Sequence, residues 1–242
     1  MKTTKPFIAF KAICAVFFFL ALPGYFSSGS FAQNSNTVQD KKIRYMPDLK
    51  NWPDASQLAA KEIIIKYGMP DAVTEHVLIW YNNGPWKCTK VFDNESRHLF
   101  PASHTDVLEQ TIDYKVPLNK FNDLALYNGS ITVKRTDGEI STKCERECVN
   151  FLAINLANDI ATGKKSVGEA RIFYASAIKD LVLYDKISPY MQSFQFTTSK
   201  NKTVDADRNE ISKEEDIAIT KRIKEMNKGK EKEKLSTDRT VQ

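Results

Sequence analysis

The side chains that could build a hydrophobic core are concentrated in one stretch of this chain. Beyond the N-terminal region, nearly all of the aromatic and branched apolar residues lie between Trp52 and Thr198. A stretch of about 150 residues buries enough apolar surface for one self-sufficient core of ordinary domain size. We therefore predict a single folded domain over residues 51–198.

The N-terminus has the three parts of a secretory signal peptide. Three lysines precede an apolar, uncharged run from Ile13 to Leu22, and Ser30 and Ala32 supply the small side chains that signal peptidase accepts. The apolar run is shorter than the roughly twenty residues that a helix needs to cross a hydrocarbon core of ~30 Å. We therefore expect residues 1–32 to be removed during export. The remaining chain is expected to be periplasmic or secreted, without a transmembrane span.

The charge that remains after export argues against a nucleic-acid partner. Residues 1–32 carry three of the 35 basic residues and none of the 30 acidic ones, so the net charge falls from +5 to +2. Nucleic-acid binding needs an extended positive face, whereas these charges are evenly mixed. Residues 33–50 are polar and aperiodic, which predicts a flexible lead-in. Residues 199–242 mix Lys and Glu with few apolar residues, which predicts a charged tail, helical or disordered.

Hydrophobic periodicity predicts both helices and strands within the domain. A first helix begins at Asp54 and ends at Gly68, and residues 94–106 are predicted as a polar loop. The predicted strands are 77–81, 86–92, 112–116, one containing Ile131 and Val133, and a last one containing Tyr190, Phe194 and Phe196; further helices are predicted to begin at Asn119, Thr142 and Ser166. The pattern indicates an α+β domain with four to five mostly antiparallel strands packed on about three helices.

A short part of the chain is similar to a known family. The first helix is followed by Gly68-Met69-Pro70 and by a strand that closes on Trp80-Tyr81. This order resembles the helix-Gly-x-Pro-strand element of small outer-membrane assembly lipoproteins of the SmpA/OmlA type. The resemblance implies the same local supersecondary unit. Those lipoproteins are anchored at a cysteine near the cleavage point, whereas Cys14 of this chain lies inside the apolar run. The stretch from Tyr127 through Arg171 resembles exported bacterial proteins, and this resemblance implies export without indicating an activity.

Three cysteines remain after export: Cys88, Cys144 and Cys148. An oxidising compartment favours pairing. Cys144 and Cys148 stand one turn apart at the start of a predicted helix, where β-carbons about 5–6 Å apart would strain a disulfide. Cys88, on a predicted strand, is therefore the better partner for either of them. The alternatives are a thiol-redox or Cu(I) site formed by these sulfurs, and ordinary buried cysteines.

Two histidines and a carboxylate lie close together in the predicted polar loop. His98, His104 and Asp106 supply the nitrogen and oxygen ligands that hold Zn²⁺, and an open fourth position would take water and allow hydrolysis. Their spacing matches none of the known zinc signatures, such as two histidines four residues apart on a helix. The alternative is that all three are polar loop residues in water.

Three aromatic residues flank the turn around Asn83-Gly84. If Trp80, Tyr81 and Trp86 are exposed at a hairpin tip, they could stack on a sugar ring or lie at a membrane surface. The alternative is that they are half-buried strand residues that fill the core beneath the turn.

No set of nucleophile, base and acid stands out, so we predict no catalytic residue and no cofactor. The predicted function is that of an exported, non-catalytic binding or scaffold protein of the bacterial envelope, with an envelope protein or a small ligand as its partner. Two alternatives stay open. One is a thiol-redox or copper-handling protein that uses the three cysteines, and the other is a metal-dependent hydrolase that uses the His98, His104 and Asp106 loop.

Overall fold

The computed structural model describes residues 48–198 and 203–237, which fall into two compact units that divide between Asp205 and Ala206. The first unit contains the described strands and four α-helices, and the second contains one further helix. The predicted signal peptide and most of the predicted lead-in lie outside the described residues. Within the described residues, no helix is both long and apolar enough to cross a membrane.

One antiparallel sheet of six strands forms the centre of the first unit. The spatial order of the strands is β1-β2-β3-β4-β6-β5. In the last hairpin, β6 therefore pairs with β4, and β5 lies at the edge of the sheet. The strands are β1 (Ala72–Val73), β2 (Val77–Tyr81), β3 (Cys88–His98), β4 (His104–Asp113), β5 (Ile131–Lys134) and β6 (Glu139–Cys144). The prediction of an α+β domain with antiparallel strands is confirmed.

The local sequence explains where α1 ends, where α4 begins and why α3 is buried. The α-helices are α1 (Asp54–Tyr67), α2 (Phe121–Tyr127), α3 (Glu147–Ala161), α4 (Val167–Tyr184) and, in the second unit, α5 (Lys213–Thr237). The first helix ends where Gly68 adopts a φ of 81°, a left-handed conformation that favours glycine. A capping box of Ser166 and Glu169 begins α4. The largely apolar sequence of α3 makes it the deepest helix, and every residue after Glu147 in it is buried.

The two faces of the sheet differ because side chains alternate along each strand. On one face, Leu78, Val91 and Leu108 form a core with apolar residues of α1. The same face meets α3, where the Asn150 amide donates to the Leu108 carbonyl at 3.1 Å. The other face carries ion pairs, such as Lys90 with Glu109 at 3.1 Å. We refer to these as the helix face and the charged face.

The predicted polar loop 94–106 is wrong, because this region forms the outer half of the β3–β4 hairpin. Arg97 is the Cα partner of Thr105, and the chain turns between His98 and His104. Side chains from Asn94 to Arg97 are exposed, so polar residues occupy both faces and no alternation marks the strand. Backbone pairing forms this part of the hairpin without a buried apolar stripe.

The predicted helix start at Thr142 is also wrong. Thr142 lies in β6, and α3 begins only at Glu147. Side chains alternate along β6, so Ile140, Thr142 and Cys144 share its inward face, and the neighbouring Ser141 is buried as well. Because Thr142 is polar, the alternation could not be recognised from hydrophobicity.

The predicted last strand through Tyr190 and Phe196 is a 3-10 turn followed by irregular chain. The side chain of Asn155 on α3 holds this segment: its amide donates to the carbonyls of Tyr190 at 2.9 Å and Ser193 at 2.8 Å. Its carbonyl oxygen accepts from the backbone N–H of Gln195 at 2.7 Å. Hydrogen bonds to the Asn155 side chain, and not to a neighbouring strand, therefore hold this segment in place.

The first unit continues beyond residue 198, where the predicted domain ends. Thr203 is buried, and Arg135 Nε lies 3.2 Å from Asp205 Oδ2. Gly138 has a φ of 65°, and a Cβ at this position would lie 2.2 Å from the backbone of Thr203. The chain around Thr203 therefore packs directly on the turn between β5 and β6.

Candidate metal centre

The β3–β4 hairpin brings three predicted ligands together. His98 is the last residue of β3, His104 is the first residue of β4, and the two are Cα partners. Asp106 lies two positions after His104, so both side chains point to the same face of the sheet. Strand pairing, and not a loop, places these three residues next to one another.

The ligand atoms of the three side chains all lie within 4.8 Å of one another. His98 Nδ1 is 3.4 Å from Asp106 Oδ2, and His104 Nε2 is 3.2 Å from Asp106 Oδ1. The Asp106 side chain is 4% exposed, and the two imidazole side chains are 16% and 14% exposed. Protein therefore encloses the cluster, and the histidines form its solvent side.

A backbone carbonyl determines which nitrogen of His104 faces the carboxylate. His104 Nδ1 is 2.9 Å from the carbonyl oxygen of Ala102, and because a carbonyl only accepts, Nδ1 carries a hydrogen. In the neutral ring, Nε2 then presents a lone pair. Among the described residues, the buried atoms His104 Nε2 and Asp106 Oδ1 have no hydrogen-bond partner. Two electron-pair donors that face each other in the interior require a proton or a metal ion between them.

Ser130 holds the other oxygen of Asp106. Its hydroxyl donates a short hydrogen bond to Asp106 Oδ2 and lies 3.2 Å from His98 Nδ1. Ser130 immediately precedes β5, and its backbone N–H donates to Asn128 Oδ1 at 2.9 Å. Because Ser130 occupies Oδ2, Oδ1 is the oxygen of Asp106 that is available to a ligand.

Cys144, the last residue of β6, lies beside the same cluster. Its Cα partner on β4 is Leu108, so its side chain shares the helix face with His104 and Asp106. The Cys144 thiol is buried, and burial raises its pKa, although His104 opposes the increase. The cluster thus combines side chains from β3, β4, β6 and the chain before β5.

Aromatic rings close the cluster on its inner side. Phe100 packs against Tyr174 of α4, with ring centroids 5.0 Å apart, and against Tyr127 of α2 at 6.5 Å. The guanidinium of Arg171 lies 3.8 Å from the centre of the Phe100 ring. The ring centroid of Phe100 also lies 6.3 Å from that of His98. Apolar surroundings of this kind strengthen charge interactions inside the cluster.

The two histidines respond differently to this environment. Burial lowers the pKa of His104, but Asp106, Cys144 and the Ala102 carbonyl outweigh burial and raise the pKa to about 11. Burial also lowers the pKa of His98, and there Asp106 does not reverse the effect. Burial raises the pKa of the Cys144 thiol, although His104 opposes the increase. The same cluster therefore raises the pKa of one imidazole and lowers the pKa of the other.

The cluster does not have the geometry of a Ser-His-Asp triad. In a triad, one histidine nitrogen meets the serine and the other meets the aspartate. Here His98 Nδ1 faces both Ser130 and Asp106, and the Ser130 hydroxyl donates to the carboxylate. Two imidazoles and a carboxylate are instead a ligand set that suits Zn²⁺ and related divalent ions.

Of the two alternatives for the aromatic residues around Asn83-Gly84, the structure shows burial for both tryptophans and no exposed aromatic platform. Trp80 and Trp86 are each 1% exposed, and only Tyr81 reaches solvent. Trp80 Nε1 donates to the Gly68 carbonyl at 2.9 Å, and the Trp86 ring packs against Phe151. The two indoles are core residues because each N–H finds an internal acceptor.

The predicted disulfide from Cys88 to Cys144 or Cys148 is also not present: none of the three is disulfide-bonded within the described chain. Cys88 pairs with Thr111, which places its side chain on the charged face near Lys90. Cys144 and Cys148 belong to the core on the helix face. The sheet separates Cys88 from the other two, so the three sulfurs cannot form one redox or copper site.

Sequence reasoning missed a second buried carboxylate. Glu147, at the start of α3, accepts hydrogen bonds from the Tyr67 hydroxyl at 2.6 Å and from Trp86 Nε1 at 2.7 Å. Gln110 and Lys66 donate to the same carboxylate. Burial and the Glu147 charge raise the pKa of Tyr67 well above its ordinary value. Hydrogen bonds from these donors link α1, β4 and the Trp86 turn through the Glu147 carboxylate. Because its oxygens already accept these hydrogen bonds, Glu147 is not available to bind a ligand.

A pocket of about 550 Å³ lies at the start of α1, and its walls include Trp52, His76 and Asp93. His76 Nδ1 is 2.6 Å from Asp93 Oδ2, and His76 is exposed. No residue of the metal centre lines this pocket.

No family model matches the chain, and neither a curated protein nor a solved structure is similar to it.

Proposed function

We propose that this protein is an exported, non-catalytic metal-binding protein of the bacterial envelope, and that His98, His104 and Asp106 hold a divalent ion of the zinc type. One observation carries the proposal: His104 Nε2 and Asp106 Oδ1 are buried 3.2 Å apart and do not hydrogen-bond each other. A metal ion between these atoms would convert two facing electron-pair donors into two ligands.

The spacing of the donor atoms supports a zinc-type ion. Bonds of about 2.0–2.2 Å in a tetrahedral arrangement place neighbouring donors about 3.3–3.6 Å apart. His104 Nε2 is 3.2 Å from Asp106 Oδ1, and the ligand atoms of all three side chains lie within 4.8 Å of one another. Small movements of the two imidazoles would therefore complete the coordination, without a change in the strand pairing.

Binding is favoured over hydrolysis because the surroundings of the cluster are closed. A catalytic zinc keeps one position open for water, whereas a structural zinc has protein on all sides. Ser130 lies 3.2 Å from His98 Nδ1, the ring centroid of Phe100 lies 6.3 Å from that of His98, and each of the three ligand side chains is 16% exposed or less.

Zinc titration calorimetry of the chelator-treated mature chain tests the proposal. We expect one zinc ion per chain, and at least about 100-fold weaker binding for His104→Ala, because a direct ligand is lost. His76→Ala is the matched control, since His76 is exposed and paired with Asp93 away from the cluster. Failure of the unaltered chain to bind zinc, or equal affinities of the two variants, would contradict the proposal.

Export is proposed from the N-terminal sequence and has a separate test. N-terminal sequencing of the protein recovered from the cell envelope or the medium should begin at Gln33, after the small residues Ser30 and Ala32. A product that retains Met1 would contradict export by a cleaved signal peptide.

A further inference from the structure

We infer that metal binding holds the outer half of the β3–β4 hairpin (residues 94–106) against α2 and α4, and that loss of the ion releases the hairpin and exposes the aromatic core beneath it. This inference rests on the proposed function, since it states what the ion at the same cluster controls. Metal binding by itself would leave residues outside the cluster unchanged, whereas release of the hairpin changes their exposure.

The described strand pairs hold the inner half of the hairpin in the sheet and end before the outer half. Pairing of β2 with β3 ends at Phe92, and pairing of β6 with β4 begins at Leu108. In the outer half, residues Ser96 to His98 pair with residues His104 to Asp106, after a register shift that follows Val91. A hairpin of two strands is only marginally stable by itself. Contacts outside the sheet must therefore hold the outer half in place.

An aromatic contact at the tip of the hairpin is the first of these. The Phe100 ring packs against Tyr174 of α4 and Tyr127 of α2, with ring centroids 5.0 Å and 6.5 Å apart. Tyr127 is 0% exposed and Tyr174 is 2% exposed. Phe100 therefore covers part of the aromatic core of α2 and α4. We call the hairpin docked when this contact is made.

The metal cluster is the second contact, and it joins the hairpin to the chain before β5. The three proposed ligands all belong to the outer half, whereas Ser130 immediately precedes β5. The Ser130 hydroxyl donates to Asp106 Oδ2 and lies 3.2 Å from His98 Nδ1. The ion would therefore have its ligands on the hairpin and an outer partner of a ligand on the rest of the first unit.

This division makes docking depend on the ion. An outer partner commonly strengthens metal binding about 10- to 100-fold. Because Ser130 reaches Asp106 only when the hairpin is docked, the ion binds the docked hairpin more tightly by about this factor. By linkage, the ion shifts the docking equilibrium by the same factor. His104 Nε2 and Asp106 Oδ1, which lack hydrogen-bond partners within the described residues, favour hydration in the released hairpin until the ion is bound.

Hydroxyl-radical footprinting of the mature chain, with and without saturating zinc, tests the inference. The extent of modification reports how far each side chain is exposed to solvent. We expect zinc to lower the modification of Phe100 and Tyr174, although neither residue is a proposed ligand. Tyr184 of the same helix is the internal control, because it is 58% exposed and should be modified equally in both samples.

Hydrogen exchange measures the same change along the backbone. Amides of residues 94–106 should exchange about 10- to 100-fold more slowly with zinc, the factor by which docking is favoured. Amides of α3, the deepest helix, should not change and show that the chain stays folded. Both zinc effects should disappear in His104→Ala, which lacks a ligand, and persist in His76→Ala, because His76 pairs with Asp93 away from the cluster.

Zinc titration calorimetry on the same samples separates this inference from the proposed function. Bound zinc with unchanged modification of Phe100 and Tyr174 would overturn metal-dependent docking and leave metal binding intact. This holds even if the hairpin amides exchange more slowly, because slower exchange alone reports strand pairing. Zinc protection of Tyr174 that survives His104→Ala would also overturn the inference, since the ion would then act from another site. Absence of zinc binding would overturn both the inference and the proposed function.

Discussion

His104 Nε2 and Asp106 Oδ1 face each other across 3.2 Å without forming a hydrogen bond. A hydrogen bond at the other polar atom orients each side chain. The Ala102 carbonyl accepts from His104 Nδ1, and the Ser130 hydroxyl donates to Asp106 Oδ2. The two facing atoms are therefore fixed in an arrangement that is unfavourable for two facing lone pairs and favourable for a shared cation.

Ser130 should support metal binding without being a ligand. Ser130→Ala removes the donor to Asp106 Oδ2, and the carboxylate loses the partner that orients Oδ1. We expect zinc affinity to fall about 10- to 100-fold, the usual cost of losing an outer partner. Zinc titration calorimetry measures the change, with Ser96→Ala as the control, because Ser96 is an exposed hairpin residue. Equal affinities of the two variants would show that Asp106 is oriented by other contacts.

Glu147 should be important for stability and not for metal binding. Its carboxylate accepts from Tyr67, Trp86 and two further donors, and only 11% of the side chain is exposed. Glu147→Ala leaves buried donors unsatisfied, so we expect the free energy of unfolding to fall by about 3 kcal/mol or more. Urea unfolding measures this loss. The exposed Glu75→Ala variant should change stability by less than about 0.5 kcal/mol, and a similarly small effect at Glu147 would contradict the account.

The charged face of the sheet should make stability depend on acidic pH. Burial raises the pKa of Glu139, but hydrogen bonds and charge from Lys87 and Lys134 outweigh burial and hold its pKa below 4.5. The unfolded state therefore takes up a proton first as the pH falls, and stability is lost as the pH decreases from about 4.5 through the folded-state pKa.

We expect Glu139→Gln to lose less stability than the unaltered chain over this acidic range. Urea unfolding at a series of pH values measures both slopes. Glu210→Gln, an exposed glutamate of the second unit, serves as the control and should retain the unaltered slope. Equal slopes for Glu139→Gln and the unaltered chain would show that the lysine contacts do not stabilise the folded state.

The second unit should be dispensable for the fold of the first. Its described side chains are exposed, including Ile217, Ile219 and Ile223. A chain that ends at Asp205 should keep its stability within about 0.5 kcal/mol. A chain that ends at Thr198 loses the buried Thr203 and the partner of Arg135, and it should unfold more easily. A large stability loss on ending at Asp205 would show that α5 contributes to the first unit.

The sequence predicted those elements that carry a local signal. The helix from Asp54, the left-handed stop at Gly68 and the capping box at Ser166 depend on neighbouring residues, and all three are found in the structure. The outer half of the β3–β4 hairpin and the inward Thr142 of β6 have polar residues where alternation is expected. Hydrophobic periodicity therefore could not reveal either strand.

The candidate site was also predicted only in part, because the sequence shows which residues are close along the chain but not which strands pair. His98, His104 and Asp106 could be grouped from the sequence because they are close along the chain. Ser130 and Cys144 join them only because β6 pairs with β4 and β5 pairs with β6. The burial of Trp80 and Trp86 likewise depends on distant acceptors, as shown by the bond from Trp86 to Glu147 at 2.7 Å.

Anomalous diffraction at the zinc absorption edge tests the central claim most directly. Crystals of the mature chain, grown after addition of one equivalent of zinc, should show one strong anomalous peak between His98, His104 and Asp106. The expected separations from the peak are about 2.0–2.2 Å to the nitrogen and oxygen ligands. A peak at another site, such as the His76 and Asp93 pair, or no peak and a His104–Asp106 contact that is unchanged at 3.2 Å, would contradict the account.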